Sequence, residues 1–225
     1  MRYPSYKEYE KIYQKYINLD NLFKMMDLVE DYKGKSFLDI CCGNGAATEE
    51  ALKRGASHCY MIDQEIKMIP SKFLGQDNFF SPGGIRLYID DVESSFRMML
   101  TVQKWRQFDI GFCRQSINYW LNNESAILLF ESFKKGGIFI FNTFNSKPSE
   151  KPKIKEYNID NNKFVEISYL LDNMVHHIQI REGYKPHITE FRWIDEQEFK
   201  YLLSDYFDIE IIRKEKTDTY RCIRK

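Results

Sequence analysis

The sequence predicts an α/β protein built on a mostly parallel sheet with helices on both faces, interrupted late in the chain by an antiparallel insertion. Three observations carry that expectation. Five short apolar runs, beginning near residues 36, 58, 85, 108 and 138, alternate with helix-like segments. The first of these runs leads straight into a glycine turn and then a helix. From residue 164 to 193 the pattern changes to three successive strand-like runs separated by turn signals.

The elements follow in order. Ser5 and Glu8 make a capping box, and Tyr6, Tyr9, Tyr13 and Tyr16 follow at helical spacing on one face. A second helix after Asp20 carries Leu22, Met25, Met26 and Val29 as its apolar stripe. The first strand spans residues 36–41, and the helix over 46–54 ends before Gly55, where a left-handed cap is expected. The second strand, 58–62, ends at Asp63. A helix over 65–74 is weakened by Pro70. The third strand, 85–89, ends at Asp90 and Asp91. A helix over 96–102 precedes the fourth strand, 108–113, and a helix over 124–135 precedes the fifth, 138–143. Residues 145–162 read as a polar connection with Pro148 and Pro152. Strands over 164–171, 174–181 and 187–193 then form an antiparallel set, with Asp172 and Asn173 as a two-residue turn. Asp195 and Glu198 cap a last helix to about residue 204. Runs over 207–213 and 219–224 close the chain as a hairpin.

Composition narrows the function. The chain has 225 residues, 43% apolar, 29% charged and 16% aromatic, which is globular and excludes disorder as the dominant state. Lys plus Arg and Asp plus Glu number 33 each, so no global field draws the chain to nucleic acid. No apolar run nears the roughly 20 residues of a membrane span. The first residues are too polar for a secretion signal. Five cysteines without framework spacing read as reduced thiols, so a cytoplasmic protein is expected.

The motif with most chemical content is Leu38-Asp39-Ile40-Cys41-Cys42-Gly43-Asn44-Gly45. Two glycines after a strand let backbone approach a ligand closely at a helix amino end. Thr48 stands where a dinucleotide fingerprint has its third glycine. Asp39 is foreign to that fingerprint as well; a carboxylate there suits a ligand with an ammonium group, or else caps loop amides. Asp63 follows Gly45 by 18 residues at the end of the second strand, where an acid holds ribose hydroxyls. Asp91, ending the third strand, is placed to accept from an adenine amino group. Each acid alone also fits a cap or turn; three in succession at one sheet edge favour a ligand.

These residues resemble the class I S-adenosylmethionine-dependent methyltransferases. The 38–45 segment is similar to the first motif of that family, with Cys41 where glycine is usual. Asp63 matches the ribose-binding acid, and Asp91 with Val92 the adenine-contacting pair. The run Phe108-Asp109-Ile110-Gly111-Phe112-Cys113 matches the fourth strand, and the closing hairpin the family's reversed seventh strand. The resemblance implies a Rossmann-like seven-stranded sheet in a single domain over 1–225. Residues 1–35 would be a helical cover, 36–144 the cofactor-binding core, 145–193 an antiparallel cap and 194–225 the last helix and hairpin. It implies S-adenosyl-L-methionine as cofactor and S-adenosyl-L-homocysteine as product. Asp39, Cys41, Gly43 and Gly45 would lie by the methionyl amine and ribose, Gln64 beside Asp63, and the Cys113 backbone by the methionyl group. Tyr6 and Tyr13 would contact the cofactor from the cover.

The expected reaction is direct in-line methyl transfer to a small-molecule acceptor. Arg114, Asn118 and Tyr119, just past the fourth strand, stand where acceptor-facing residues occur. The segment lacks the Asn/Asp-Pro-Pro-Tyr/Phe sequence of methyltransferases that act on base amines, so nucleic acid is not expected as a partner, nor is a membrane. His177, Gln179 and Arg181 alternate on one strand face, Glu190 and Arg192 on the next strand. His177 and His187 are the candidate bases; His176 points the other way. Arg181 is expected on a solvated face, and no metal site is expected. Rival readings are an RNA or protein methyltransferase, a non-catalytic cofactor-binding subunit and, least favoured, a nicotinamide dehydrogenase. Monomer and homodimer both stay open, because exposed strand edges invite pairing.

Overall fold

The computed structural model describes residues 19–74, 84–102, 107–159, 162–213 and 216–225. The tyrosine face around Tyr6 and Tyr13 lies outside the described residues. The described chain opens with α1 (Leu19–Met26), which buries Leu22, Met25 and Met26. Then come β1 (Ser36–Ile40), α2 (Ala46–Lys53), β2 (His58–Ile62), β3 (Gly84–Tyr88), α3 (Val92–Val102) and β4 (Phe108–Arg114). A short helix α4 (Ile117–Trp120) and then α5 (Asn123–Ser132) lead to β5 (Phe133–Phe144). The insertion holds β6 (Lys153–Ile159), β7 (Asn162–Leu171), β8 (Met174–Arg181) and β9 (His187–Arg192). Helix α6 (Glu196–Leu203), β10 (Phe207–Ile212) and β11 (Thr217–Arg224) finish it.

Seven strands form one sheet in the order β10-β11-β5-β4-β1-β2-β3. The five strands from β1 to β5 run parallel, and β11 runs antiparallel to β5. Apolar side chains cover both faces. Phe96, Phe108, Phe133, Phe139 and Phe199 pack on one side, and Met25, Met26, Phe37, Phe112 and Ile140 on the other. That two-sided burial is why the parallel strands read as continuous apolar runs. Gly111 in β4 has a packing reason: a Cβ there would lie 2.2 Å from the Phe133 ring.

The helix ends follow local chemistry. Gly55, at φ 97°, closes α2 in a left-handed cap, with Ala56 N–H donating to Ala51 C=O at 3.0 Å. Asn122 and Ser125 form the capping box of α5. Asp195 accepts from Glu198 N–H at 2.9 Å to start α6.

Several expectations are corrected. The helix expected over 65–74 is two 3-10 turns, Ile66–Met68 and Ser71–Phe73, because Pro70 between them has no N–H to give and holds an extended conformation. The helix before β4 starts earlier, at Val92, because Asp91 caps it. The helix over 124–135 ends at Ser132, and β5 begins at Phe133 rather than 138, with a register shift in its pairing to β4. Helix α4 was not anticipated. Neither was β6, whose polar sequence read as connection; pairing along β7 makes it an edge strand of a separate four-stranded sheet in the order β6-β7-β8-β9. Asp172 and Asn173 both take left-handed backbone, at φ 49° and 63°, as a two-residue hairpin turn requires.

Candidate active site

The strand order reverses between β4 and β1, and the loop after β1 lies at that switch point. Its backbone is tightly curled: Cys41, Gly43 and Gly45 have φ of 55°, 52° and 73°. The left-handed backbone at Cys41 explains why glycine suits this position better. Cys42 N–H donates to Ile62 C=O at 3.0 Å, and Gly45 N–H to Cys42 C=O at 2.9 Å. Gly45 has no room for a side chain: a Cβ would lie 2.5 Å from the Phe73 ring and 2.9 Å from Met61 Cε. Gly43 is the opposite case. Its would-be Cβ meets nothing within 4 Å, so the loop presents open backbone at its tip.

Two carboxylates hold this loop. Asp39 is 3% exposed, and its Oδ2 accepts from Thr48 Oγ1 at 2.7 Å and Thr48 N–H at 3.1 Å. Thr48, noticed in the sequence only as a missing glycine, therefore anchors the strand acid to α2. Burial pushes the Asp39 carboxyl up to about 7, against the lowering pull of the Thr48 bonds. Asp63 Oδ2 accepts from Gly43 N–H at 2.8 Å, and its Oδ1 from Glu65 N–H at 2.9 Å. Burial raises its pKa too, while these amides work the other way. Gln64 beside it is exposed.

Asp39, Cys41, Cys42, Leu22, Phe112 and Arg114 line a hollow at this edge. Cys113 is buried behind it, and its neighbouring thiol together with burial pushes the pKa of the Cys41 thiol well above its usual value. Arg114 lies close enough to Asp39 to act on its charge. Asp91 is exposed and turned onto α3, accepting from Ser94 N–H at 2.8 Å and Ser94 Oγ at 2.7 Å; these bonds lower its pKa. Val92 beside it is buried. A larger hollow of about 330 Å³ lies at the amino ends of the strands, among Ser36, His58 and Asp109. Ligands in such sheets bind at the carboxyl ends, and the Asp109 carboxylate is already taken by Ser36 and Lys134.

The residues after β4 divide. Asn118 is buried, accepting from Thr143 Oγ1 at 2.7 Å and donating to Arg192 C=O at 3.2 Å, so its amide ties α4 to β5 and the insertion. Tyr119 is 47% exposed, with its ring 4.9 Å from that of Phe191 on β9. This contact shows which face of the four-stranded sheet turns toward the strand ends. The same face carries the buried side chains of Leu170 and Val175 and, further along, His177, Gln179 and Glu166.

The sequence missed Glu166, because the register that places it was not readable. Its Oε1 accepts from Tyr157 OH at 2.7 Å and Gln179 Nε2 at 3.2 Å. His177 stands one position along between Ser168 and Thr189, with His187 opposite Gln179. Burial lowers the pKa of His177, the Glu166 charge opposing it and His187 and Lys155 adding to it. His176 is on the other face, stacked on Tyr169 at 4.9 Å and 3.0 Å from Glu190 Oε1. Arg181 is half-buried rather than solvated, lying 4.3 Å from the Tyr184 ring and 5.4 Å from that of Phe164. No cluster of His, Cys, Asp or Glu suited to a metal occurs among the described residues, and no described helix is long and apolar enough to cross a membrane.

An open backbone tip over Gly43, a buried carboxylate at the hollow and an acid at the end of β2 fit a ligand that joins an ammonium group to a ribose. Comparison with known proteins agrees. A family model described as "Methyltransferase domain" matches residues 31–206. A solved S-adenosylmethionine-dependent methyltransferase of Clostridium acetobutylicum superposes with a TM-score of 0.69 at 19% identity, covering 96% of each chain. An S-adenosylmethionine-bound amino pentose methyltransferase of Micromonospora echinaspora, from calicheamicin biosynthesis, gives 0.70 at 13% identity, also over 96% of each chain. A glycopeptide N-methyltransferase bound to S-adenosylhomocysteine gives 0.57 at 11% identity, covering 91% of this chain and 89% of that one. A search of curated proteins found no match. The family model covers most of the chain, and the fold and glycine loop agree with it: the protein belongs to the class I S-adenosylmethionine-dependent methyltransferases, enzymes that use S-adenosylmethionine and release S-adenosylhomocysteine.

Proposed function

We propose that this enzyme works in the cytoplasm and methylates a small-molecule acceptor held against the inner face of the four-stranded sheet, with an amine or hydroxyl as the group methylated. The observation that carries this reading is the Glu166 cluster on that face. Both of its hydrogen bonds fall on Oε1, which leaves Oε2 unengaged among the described residues. A half-buried carboxylate with an open oxygen suits an acceptor that brings its own N–H or O–H.

On this reading Asp63 holds the ribose hydroxyls, with Gln64 beside it. Asp91 and Val92 frame the adenine. Asp39 and the 41–45 loop receive the methionyl end, with the Cys113 backbone near it. The bound cofactor supplies a methyl group on a positively charged sulfur. The protein then needs to align the acceptor, exclude water and take a proton where the acceptor carries one. His177 is suited to take it, since burial keeps its imidazole neutral below the usual pH. Tyr119 and Phe191 form an apolar wall on the approach, and Arg114 is placed at its cofactor end. Two solved relatives support an acceptor of modest size, one described as an amino pentose methyltransferase and one as a glycopeptide N-methyltransferase. The zero net charge offers no field for RNA.

The test is release of S-adenosylhomocysteine by the purified chain. Panels of amino sugars and other small amines and alcohols would be run beside total RNA and unfolded protein. Turnover confined to small molecules, and lost in Asp63→Ala, is the expected result. Turnover confined to RNA or protein overturns the proposal, as does binding of cofactor without turnover on any panel.

A further inference from the structure

We propose that this chain forms a two-fold homodimer through the outer face of its four-stranded sheet. Strand register sets Ile154 opposite Ile167, Ile167 opposite Ile178, and Ile178 opposite Ile188. Four isoleucines, one from each strand, therefore stand in a single row across the whole sheet. Side chains alternate along a strand, so the paired Val165 and Ile180 share this face on one side of the row, and the paired Leu171 and Met174 share it further along on the other. Ile154 is 62% exposed, Ile188 58% and Leu171 54%. The opposite face holds the buried Leu170 and Val175 and turns toward α4. An antiparallel sheet covered on one face ordinarily shows polar side chains on the other. This one shows isoleucine, and a contiguous apolar face of that kind marks an interaction surface.

A second copy fits the face best. A straight row of one residue type is its own complement. A two-fold axis lying in the interface sets the row of one copy against the row of the other, the isologous arrangement of most homodimers. β-Branched side chains on facing sheets interdigitate at a separation of about 10 Å. The charged side chains around the row are paired within the chain. Lys163 meets Glu156 at 2.8 Å, His176 meets Glu190 at 3.0 Å, and Arg192 meets Glu198 at 2.5 Å. These pairs let identical faces meet without like-charge repulsion. Four strands about 4.8 Å apart, each about eight residues at 3.3 Å, give roughly 500 Å² in plan. Side-chain relief raises the accessible area above that, toward the roughly 800 Å² per partner of a standard interface. The Glu166 face points away from such a seam, so each copy keeps its own acceptor side.

Sedimentation of the full chain over a dilution series tests this. The expected mass is twice 27.0 kDa. The double variant Ile154→Lys/Ile188→Lys changes two positions already more than half exposed. It is expected to sediment as a monomer while binding S-adenosylmethionine as the parent does. Should that variant fail to bind cofactor, the milder Ile188→Ser is expected to weaken dimerisation at least about tenfold with cofactor binding intact. A parent chain that is monomeric throughout overturns the proposal, whether or not it floats with anionic vesicles. So does a dimer that persists in the lysine variant, which would place the interface elsewhere.

Discussion

On the proposed reading, the parallel half of the molecule and the antiparallel insertion do their chemical work by different means. In the parallel half the site is made of backbone. Left-handed residues at 41, 43 and 45 shape the loop, Asp63 reaches Gly43 N–H, and Thr48 holds Asp39. In the insertion the proposed acceptor site is made of side chains presented on one face of a sheet: Glu166, Gln179, His177 and Tyr157. The first kind tolerates almost no change, because geometry is shared among many groups. The second kind can be rewritten one residue at a time while the strands stay paired, which is how one scaffold comes to serve different acceptors.

The sharpest way to break that contrast is a pair of substitutions. Gly45→Val forces a β-branched side chain into left-handed backbone and into the Phe73 ring. It is expected to weaken S-adenosylmethionine binding by more than about a hundredfold, with a stability loss of about 2–4 kcal/mol. Calorimetric titration and thermal unfolding read the two effects. Glu166→Ala should leave cofactor affinity and unfolding temperature nearly unchanged and lower kcat/KM for the acceptor by about tenfold to a hundredfold. If Glu166→Ala weakened cofactor binding as strongly as Gly45→Val does, the two regions would not be separable.

This contrast also decides what was legible in the sequence. Backbone sites advertise themselves, since glycines, caps and acids at strand ends are local signals. The 38–45 segment, Asp63 and the Gly55 cap were all placed by reading along the chain. Where a local signal was discordant it misled only in extent. Pro70 split a helix into two turns, and Asp91 began α3 earlier than its apolar residues suggested. The insertion depends on register, which no local pattern carries. Strands β7, β8 and β9 were foreseen. Glu166 was not, because its neighbours Tyr157 and Gln179 come from two other strands. Strand β6 was missed for the same reason: of its residues whose burial is described, all but Tyr157 are exposed, and only its partner gives it form. The residues after β4 show the limit in another way. Asn118 and Tyr119 are adjacent in sequence, yet one is an internal tie and the other an exposed ring.

A smaller effect separates the regions by pH. The folded protein raises the Asp39 carboxyl to about 7, above its unfolded value near 4. The protonated form is therefore favoured by folding. That contribution is fully present below about pH 4 and is lost as pH rises through about 7. Asp39→Asn keeps an acceptor for Thr48 and cannot ionise, so its stability relative to the parent should rise over that window and level off above it. Denaturant unfolding at a series of pH values gives the difference. A flat difference from pH 4 to 8 would mean that Asp39 stays ionised in the folded state, and that the loop tolerates its charge without a ligand.

The smallest effect expected comes from Cys41, the one residue at which this loop departs from the family pattern. Its backbone is left-handed at φ 55°, which costs a side-chain-bearing residue about 1 kcal/mol relative to glycine. Against that stands its interaction with the neighbouring Cys113 thiol, a weak donor beside a weak acceptor. Glycine at 41 also frees the unfolded chain, which takes back part of the gain. The balance favours Cys41→Gly by less than about 1 kcal/mol, or roughly 2 °C in Tm for a chain of this length. Cofactor affinity should not change, because the loop amides that would meet the ligand are the same in both. If the variant instead lost stability and bound cofactor more weakly, the thiol pair would be holding the loop in shape. The parallel half would then depend on side chains as the insertion does, and the division drawn between them would fail at the residue best placed to test it.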